Sequence, residues 1–190
     1  LAAQKSPAQV VAFANASVDT INSIKQAGEF RLAASGKKLA PLLIHVSDVH
    51  SIGLANAQGL YVTSGFYWDE GDASRVFSKR FFAVRHAMPT REQANIYAGL
   101  MNYFRAIKET GSDQPDTVIV WLRTHPLDYF GRQTTLCGDG RVMYDLALYR
   151  VKSPQESREA WDYYQKIADV PAQQAFLPLD PKLCSSAVTH

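Results

Sequence analysis

Residues Gln9–Leu32, QVVAFANASVDTINSIKQAGEFRL, decide how the rest of the chain is read. A short apolar run, Val10 to Phe13, gives way to the small and polar residues Ala14, Asn15, Ala16 and Ser17. Val18, Ile21, Ile24 and Ala27 or Gly28 then recur at about three-residue steps, which places them on one side of a helix. Ser17 is the expected N-cap, its hydroxyl accepting a bond from an N–H of the first turn, with Asp19 and Thr20 inside that turn. The pattern predicts a buried strand, a tight polar corner and a helix. In open α/β sheets such a corner lies at the carboxyl end of the strand, where ligands bind. A plainer reading stands beside it, in which Ser17 and Asp19 simply start a helix.

The arrangement then repeats. Leu39–His45 (LAPLLIH) is a second near-continuous apolar run, as expected of a strand covered on both faces, with Pro41 disturbing the pairing of its first half. Val46-Ser47-Asp48 makes a second corner, a short helix is expected over Val49–Ala57, and Gly59–Ser64 is a third strand leading into Gly65-Phe66-Tyr67-Trp68-Asp69. Strands alternating with helices predict an α/β fold with a parallel sheet and helices on both faces. Helices are expected from Asp72 or Ser74 to His86, with Val76, Phe77, Phe81 and Val84, and from Thr90 to Thr110, with Ile96, Leu100, Tyr103 or Phe104, and Ile107 along one side. A third covers Pro115–Thr124, its proline in the first turn. His125–Asp139 reads as irregular, Arg141–Lys152 as a strand, Pro154–Ala168 as a helix carrying Trp161, Tyr164 and Ile167, and the segment after Pro171 as surface coil.

Bulk properties narrow the function classes. At 190 residues, 46% hydrophobic and 20% charged, the chain suits one domain or two small ones with a real core. Its net charge of +2 is spread out, unlike the concentrated basic face of a nucleic-acid binder. No apolar run approaches the ~20 residues that span a bilayer. Leu1 in place of Met implies a start lost by processing or truncation. Cys137 and Cys184 fit one disulfide or two separate thiols; both lie in polar, turn-rich segments, which favours a bridge.

Motifs for catalysis or cofactors are missing. Ser64-Gly65 follows Tyr61-Val62-Thr63, so there is no G-x-S-x-G elbow. His45 and His50 are five apart, without H-E-x-x-H, and would not share a face as zinc ligands do. Neither phosphate-binding glycine motif occurs, so no nucleotide, metal or other cofactor is expected. Asp69, Glu70 and Asp72 crowd one loop and read as a solvated turn. What remains is a set of polar groups at strand ends, Asn15, Ser17, Asp19, Thr20, Ser47 and Asp48, with the aromatic pair Tyr67-Trp68. Helix N-termini hold carboxylates well, and aromatic rings add apolar contact area. The make-up is that of a binding cleft.

Six segments in order, VVAFANASVDTINSIKQAGEFRL, GLYVTSGFYWD with SRVFSKRFFAVRH, QANIYAGLMNYFRAIKETGS, and DGRVMYDLALYRVKSPQESREAWDYYQKIA with AFLPL, together resemble type 1 periplasmic solute-binding proteins of ABC transporters. Within these the chain is similar to the branch for branched-chain amino acids and aromatic acids. Family members have two α/β lobes joined by three crossovers, are about twice this length, and hold the ligand between the lobes; this chain resembles the C-terminal half only. The resemblance implies an incomplete two-lobe arrangement: residues 1–67 as a C-terminal lobe segment, 68–140 as an N-terminal lobe segment, and 141–190 as a return to the C-terminal lobe with a tail. It implies that Asn15, Ala16, Ser17 and Asp19 face the ligand, with Ser47 and Asp48 at the second strand end. Tyr67 and Trp68 would lie near a crossover, and Gln93 at the start of a helix that looks into the cleft.

The implied function is that of an exported, periplasmic, non-enzymatic receptor with a cleavable signal peptide on its precursor. Its partners would be a small carboxylate, a membrane permease, and either the missing N-terminal half or a second copy of the chain. Two other readings compete: a ligand-sensing regulatory domain on the same scaffold, since fold does not fix function, and a small α/β enzyme using Asp19 or Asp48 as an acid-base group.

Overall fold

The structure, a computed structural model, describes residues 2–178. The expected pairing of Cys137 with Cys184 involves a residue outside that range. The chain forms two compact units. Among the described residues, one comprises those up to Arg91 together with Ala147–Asp169 and the other Glu92–Leu146 with those from Val170, so the backbone changes unit three times.

The first unit begins with a short helix α1 (Ala2–Lys5), then β1 (Val10–Phe13), α2 (Ser17–Glu29), a 3-10 turn (Ala33–Ser35), β2 (Lys38–Pro41), α3 (Val46–Ile52), α4 (Leu54–Ala57), β3 (Tyr61–Ser64) and α5 (Asp72–Arg85). β1 and β2 pair in parallel, Val10 opposite Lys38 and Phe13 opposite Pro41. The second strand is therefore the half that includes Pro41; it ends there, and Leu42 and Leu43 leave the sheet. Proline tolerates this place because it closes the strand. β1 is only half covered, with Val10 and Ala12 exposed, where the apolar run implied full burial. The expected single helix after the second corner is split by Gly53, whose φ of +79° suits glycine and ends α3.

The second unit is built on α6 (Arg91–Thr110), whose first residue is still grouped with the first unit, and on α7 (Pro115–Thr124), β4 (Leu127–Tyr129), β5 (Arg132–Leu136) and β6 (Val142–Met143). The segment that reads as irregular thus holds an antiparallel meander, Leu127 opposite Thr134 and Leu136 opposite Val142. Phe130 (φ +52°) and Gly131 (φ +82°) form its two-residue turn, whose doubly left-handed backbone matches strand twist. Phenylalanine is an unusual residue there, which hides the hairpin from a sequence reading. Ala106, Val118, Trp121 and Leu127 form this unit's core.

β7 (Leu146–Val151) and β8 (Tyr164–Val170) follow, and α8 (Ala172–Ala175) closes the described chain. β7 pairs antiparallel with β3, Tyr61 opposite Arg150 and Ser64 opposite Ala147, and β8 flanks β7. These three strands form a sheet of their own, separate from the parallel pair β1–β2. The helix expected over Pro154–Ala168 is absent; turns and β8 take its place. Trp161, Tyr164 and Ile167 have helical spacing, but Trp161 stands at φ +74°, a value no helix allows, and Trp161, Tyr163 and Tyr164 are all buried. They join Ile24, Val49, Leu60, Val62, Tyr149 and Val151 in the core of the first unit. The start of the tail also departs from surface coil: the N–H of Ala172 donates to Asp145 Oδ1 at 2.9 Å, and Ala172 is buried.

Candidate functional site

The parallel register sets the carboxyl ends of β1 and β2 level with each other, and the N–H of Leu42 donates to the carbonyl of Phe13 at 3.1 Å. The loops after the two strands therefore leave from neighbouring points of one edge. In the first, Ala16, Ser17 and Asp19 are exposed and Asn15 is half-buried. Ser17 does not cap α2; Ala16 holds the N-cap position, no side chain caps the helix, and Ser17 sits at φ +54°. The side chain that secures the corner is Asn15. Its Nδ2 donates to Ser23 Oγ at 2.9 Å and its Oδ1 accepts from Thr20 Oγ1 at 3.0 Å, so it ties the loop to the flank of α2. With the corner held this way, Thr20, Ile24 and Ala27 face inward and Val18 is 63% exposed.

In the second corner His45 takes the N-cap position and its N–H donates to Asp48 Oδ2 at 2.8 Å. Asp48 thus does the work of a capping carboxylate, and Ser47 and Asp48 are both half-buried in the first turn of α3. Leu42 and Leu43, read from the sequence as strand, stand 63% and 40% exposed in this loop. Their signal in the sequence is Pro41 immediately before them. The structure thus brings Asn15, Ala16, Ser17 and Asp19 next to the loop that leads to Ser47 and Asp48, and adds an apolar lip of two leucines.

Tyr67 and Trp68 are elsewhere engaged. Tyr67 is 6% exposed; its hydroxyl donates to the carbonyl of Trp161 at 2.8 Å and accepts the N–H groups of Tyr163 (3.0 Å) and Tyr164 (3.3 Å). Burial pushes its phenol above the ordinary range, against the pull of those backbone bonds. Trp68 Nε1 donates to the same Trp161 carbonyl at 2.8 Å. Both polar tips serve the inside of the first unit, and the Tyr67 hydroxyl, with three backbone partners, has no further hydrogen bond to give. Trp68 retains a partly exposed ring. Gln93 is exposed in the first turn of α6 and belongs to the second unit.

Other groups flagged by the sequence have local roles. Arg75 bridges Asp69 (2.9 Å) and Asp72 (2.5 Å), which settles the crowded carboxylates. His50 lies flat on Trp161, ring centroids 4.1 Å apart, with Nδ1 2.6 Å from Tyr163 Oη. Among the described residues no group of three or more His, Cys, Asp or Glu could hold a metal ion, and no helix is long and apolar enough to cross a membrane. A hollow of about 380 Å³ opens within the second unit, lined by Leu122, Tyr129, Val142, Tyr144 and Phe176 among others. Its polar groups satisfy one another: Tyr129 Oη donates to Asn95 Oδ1 at 2.6 Å, and Asn95 Nδ2 to Tyr144 Oη at 3.3 Å. None of the site residues expected from the sequence lines it.

The stability of the first unit depends on pH. Burial works against the charge of Asp162, yet Lys152 and the N–H of Arg158 hold its carboxyl below the usual range. Arg150 and the N–H of Ser153 hold Glu156 at about 2. A carboxylate with a depressed folded pKa stabilises the fold above its unfolded pKa and loses that contribution as pH falls towards the folded value. The urea midpoint of the chain is therefore expected to drop between about pH 5 and about pH 2. A midpoint that stays level over that window would show that these pairs contribute nothing.

The family model described as periplasmic binding protein matches residues 1–157. No curated protein sequence matches the chain. Among solved structures, a periplasmic binding protein from Burkholderia mallei is 40% identical, with a TM-score of 0.82 over 90% of this chain and 45% of its own. A branched chain amino acid ABC transporter periplasmic ligand-binding protein from Burkholderia xenovorans is 36% identical, with a TM-score of 0.82 over 90% of this chain and 46% of its own. A solute binding protein of an ABC transporter from Rhodopseudomonas palustris, in complex with 3,4-dihydroxy benzoic acid, shares the fold at 16% identity, with a TM-score of 0.74 over 89% of this chain and 47% of its own. The chain thus spans about half the length of the proteins it matches.

Proposed function

The chain belongs to the periplasmic binding protein family and has, in part, the fold of its type 1 members, and on that premise we propose that it is a piece of an extracytoplasmic solute receptor. The receptor takes a small carboxylate, a branched-chain amino acid or an aromatic acid, and hands it to the membrane permease of an ABC transporter. It makes and breaks no bond; binding moves an equilibrium between forms by the difference in affinity for them.

The single observation that carries this reading is the side-by-side placing of two exposed corners on the paired strands β1 and β2. The start of α2 has no side-chain cap, so its first-turn amides suit a carboxylate. Leu42 and Leu43 beside it suit an apolar or aromatic body. Asn15 holds the first corner in shape and Asp48 the second. Ala16, Ser17, Asp19 and Ser47 form the proposed rim, with Trp68 as an outlying member in the same unit.

The test is a thermal-shift screen of the full-length protein with leucine, isoleucine, valine, benzoate and hydroxybenzoates. A solute at 100 times its Kd is expected to stabilise the protein by about 2.7 kcal/mol and to be recovered unchanged. Asn15→Ala and Asp48→Ala are each expected to weaken binding about tenfold, the scale of one lost hydrogen bond to a held group. Unaltered affinity in both variants would move the site away from these corners, and turnover of any of the solutes would replace the receptor reading with an enzyme.

A further inference from the structure

Charge is unevenly distributed along the chain. Residues 73–91 hold five Lys or Arg and no Asp or Glu, whereas the rest of the chain carries fifteen against eighteen. The small net charge of the whole thus conceals a local excess, and α5 is its centre. Ser74, Phe77 and Ser78 bury one side of this helix. At 3.6 residues per turn the opposite side takes Val76, Lys79, Arg80, Ala83 and Val84. All five are exposed, the two valines by 60% and 76%. Arg75 is tied to Asp69 and Asp72 at the start of the helix. Lys79, Arg80 and Arg85 have no hydrogen bond or ion pair among the described residues.

We propose that the outer face of α5 rests on an anionic phospholipid surface, its cations meeting the headgroup phosphates and Val76 and Val84 reaching the edge of the acyl region. Charge complementarity selects this occupant. Lys and Arg interleaved with apolar side chains on one helix face are the composition of a helix lying at a bilayer interface, and each cation near an anionic leaflet adds about fivefold to affinity. Guanidinium groups pair with phosphate in a bidentate fork, which suits Arg80 and Arg85. In water alone the two valines gain nothing from their place between cations, because their apolar area stays wet. The face is also the convex side of a single helix, and a fluid lipid surface meets such a shape along its length. The contact is peripheral and reversible. It does not rest on the receptor reading or on the corners after β1 and β2.

The test is sedimentation of the full-length protein with vesicles of phosphatidylglycerol and phosphatidylethanolamine, and with vesicles of phosphatidylcholine alone. Binding to the anionic vesicles is expected to be at least tenfold tighter, and to be released in about 1 M salt, where the Debye length falls to about 3 Å. Lys79→Glu with Arg80→Glu is expected to weaken it at least twentyfold, and Val76→Ser with Val84→Ser at least threefold. A control pair, Lys5→Glu with Lys25→Glu, makes the same change in net charge at exposed places elsewhere in the first unit and is expected to cost less than fivefold. Urea midpoints are read for every variant; if the Lys79 and Arg80 pair shifts its midpoint, Lys79→Gln with Arg80→Gln replaces it, with at least a tenfold loss expected. Equal sedimentation with both kinds of vesicle, a control pair as damaging as the α5 pair, or a valine pair indistinguishable from the parent would each overturn the proposal. So would retention on polyglutamate with none on vesicles, which would point to an acidic protein instead. Thermal shifts by solutes are expected to be the same in all the variants, so failure of the receptor reading would show separately.

Discussion

Trp161→Ala is expected to lower the stability of the chain by about 3–5 kcal/mol, the range for removing a buried large aromatic side chain. Trp161 is 6% exposed, and His50 stacks flat against its ring. Its carbonyl accepts both the hydroxyl of Tyr67 and the indole N–H of Trp68, residues more than ninety positions away. The backbone at φ +74° costs free energy for any residue with a Cβ, and that cost is offset by the contacts of the ring and the carbonyl. Alanine keeps the cost and loses the ring. Tyr67→Phe probes the other half of the same knot: it leaves the N–H groups of Tyr163 and Tyr164 without their hydroxyl acceptor, for about 1–3 kcal/mol. The two substitutions are expected to be non-additive, because they act on one network. Urea unfolding followed by far-UV circular dichroism measures both. A Trp161→Ala midpoint within error of the parent would show that the turn before β8 folds without its anchor.

The second large effect lies in the other unit. The Asn102 side chain behaves as a strand neighbour of β4: its Nδ2 donates to the carbonyl of Asp128 at 2.8 Å and its Oδ1 accepts the N–H of Asp128 at 2.9 Å. The same Nδ2 donates to the carbonyl of Ala98 at 2.8 Å. Asn102 is buried, and Asn102→Ala removes the partner of both backbone groups of Asp128, itself an exposed residue. The expected loss is about 1–3 kcal/mol, the scale of two hydrogen bonds removed together. Amide exchange at Asp128 should accelerate at the same time, which separates loss of this clasp from general loosening. Exchange at Asp128 unchanged in the variant would show that other contacts hold β4 on α6.

Both knots bear on what the candidate site can be. Tyr67 and Trp68 have the sequence features of ligand contacts, aromatic bodies with polar tips just after a strand. Their polar tips are used inside the fold, and only the tertiary contact with Trp161 reveals it. The corners at Asn15–Asp19 and Leu42–Asp48 were legible because a strand end, a polar turn and a helix start are all local features. Their exact form was not: Ser17 has the chemistry of an N-cap, but Asn15 reaches Thr20 and Ser23 first and takes the anchoring role.

The chain's own order of residues determined the β1–α2–β2–α3–β3 succession and the bounds of α5, α6 and α7 within a residue or two, since each rests on periodicity, caps and breakers acting across a few positions, and a run of segments in order carried the family likeness. Which strands pair was decided by distant partners: β7 joins β3 antiparallel from more than eighty residues away, so β3, which local alternation reads as part of one parallel sheet, pairs in a sheet apart from β1–β2. Residues 164–170 have helical spacing but become β8, because the buried Trp161 carbonyl fixes the chain just before them in a backbone no helix can use. The outward apolar ridge of α6 shows the same division of labour. Sequence periodicity located the stripe of Ile96, Leu100 and Phe104, but the side of a helix that is buried depends on what lies against it, and here the small residues found their partner in this chain while the large ones remain on its surface.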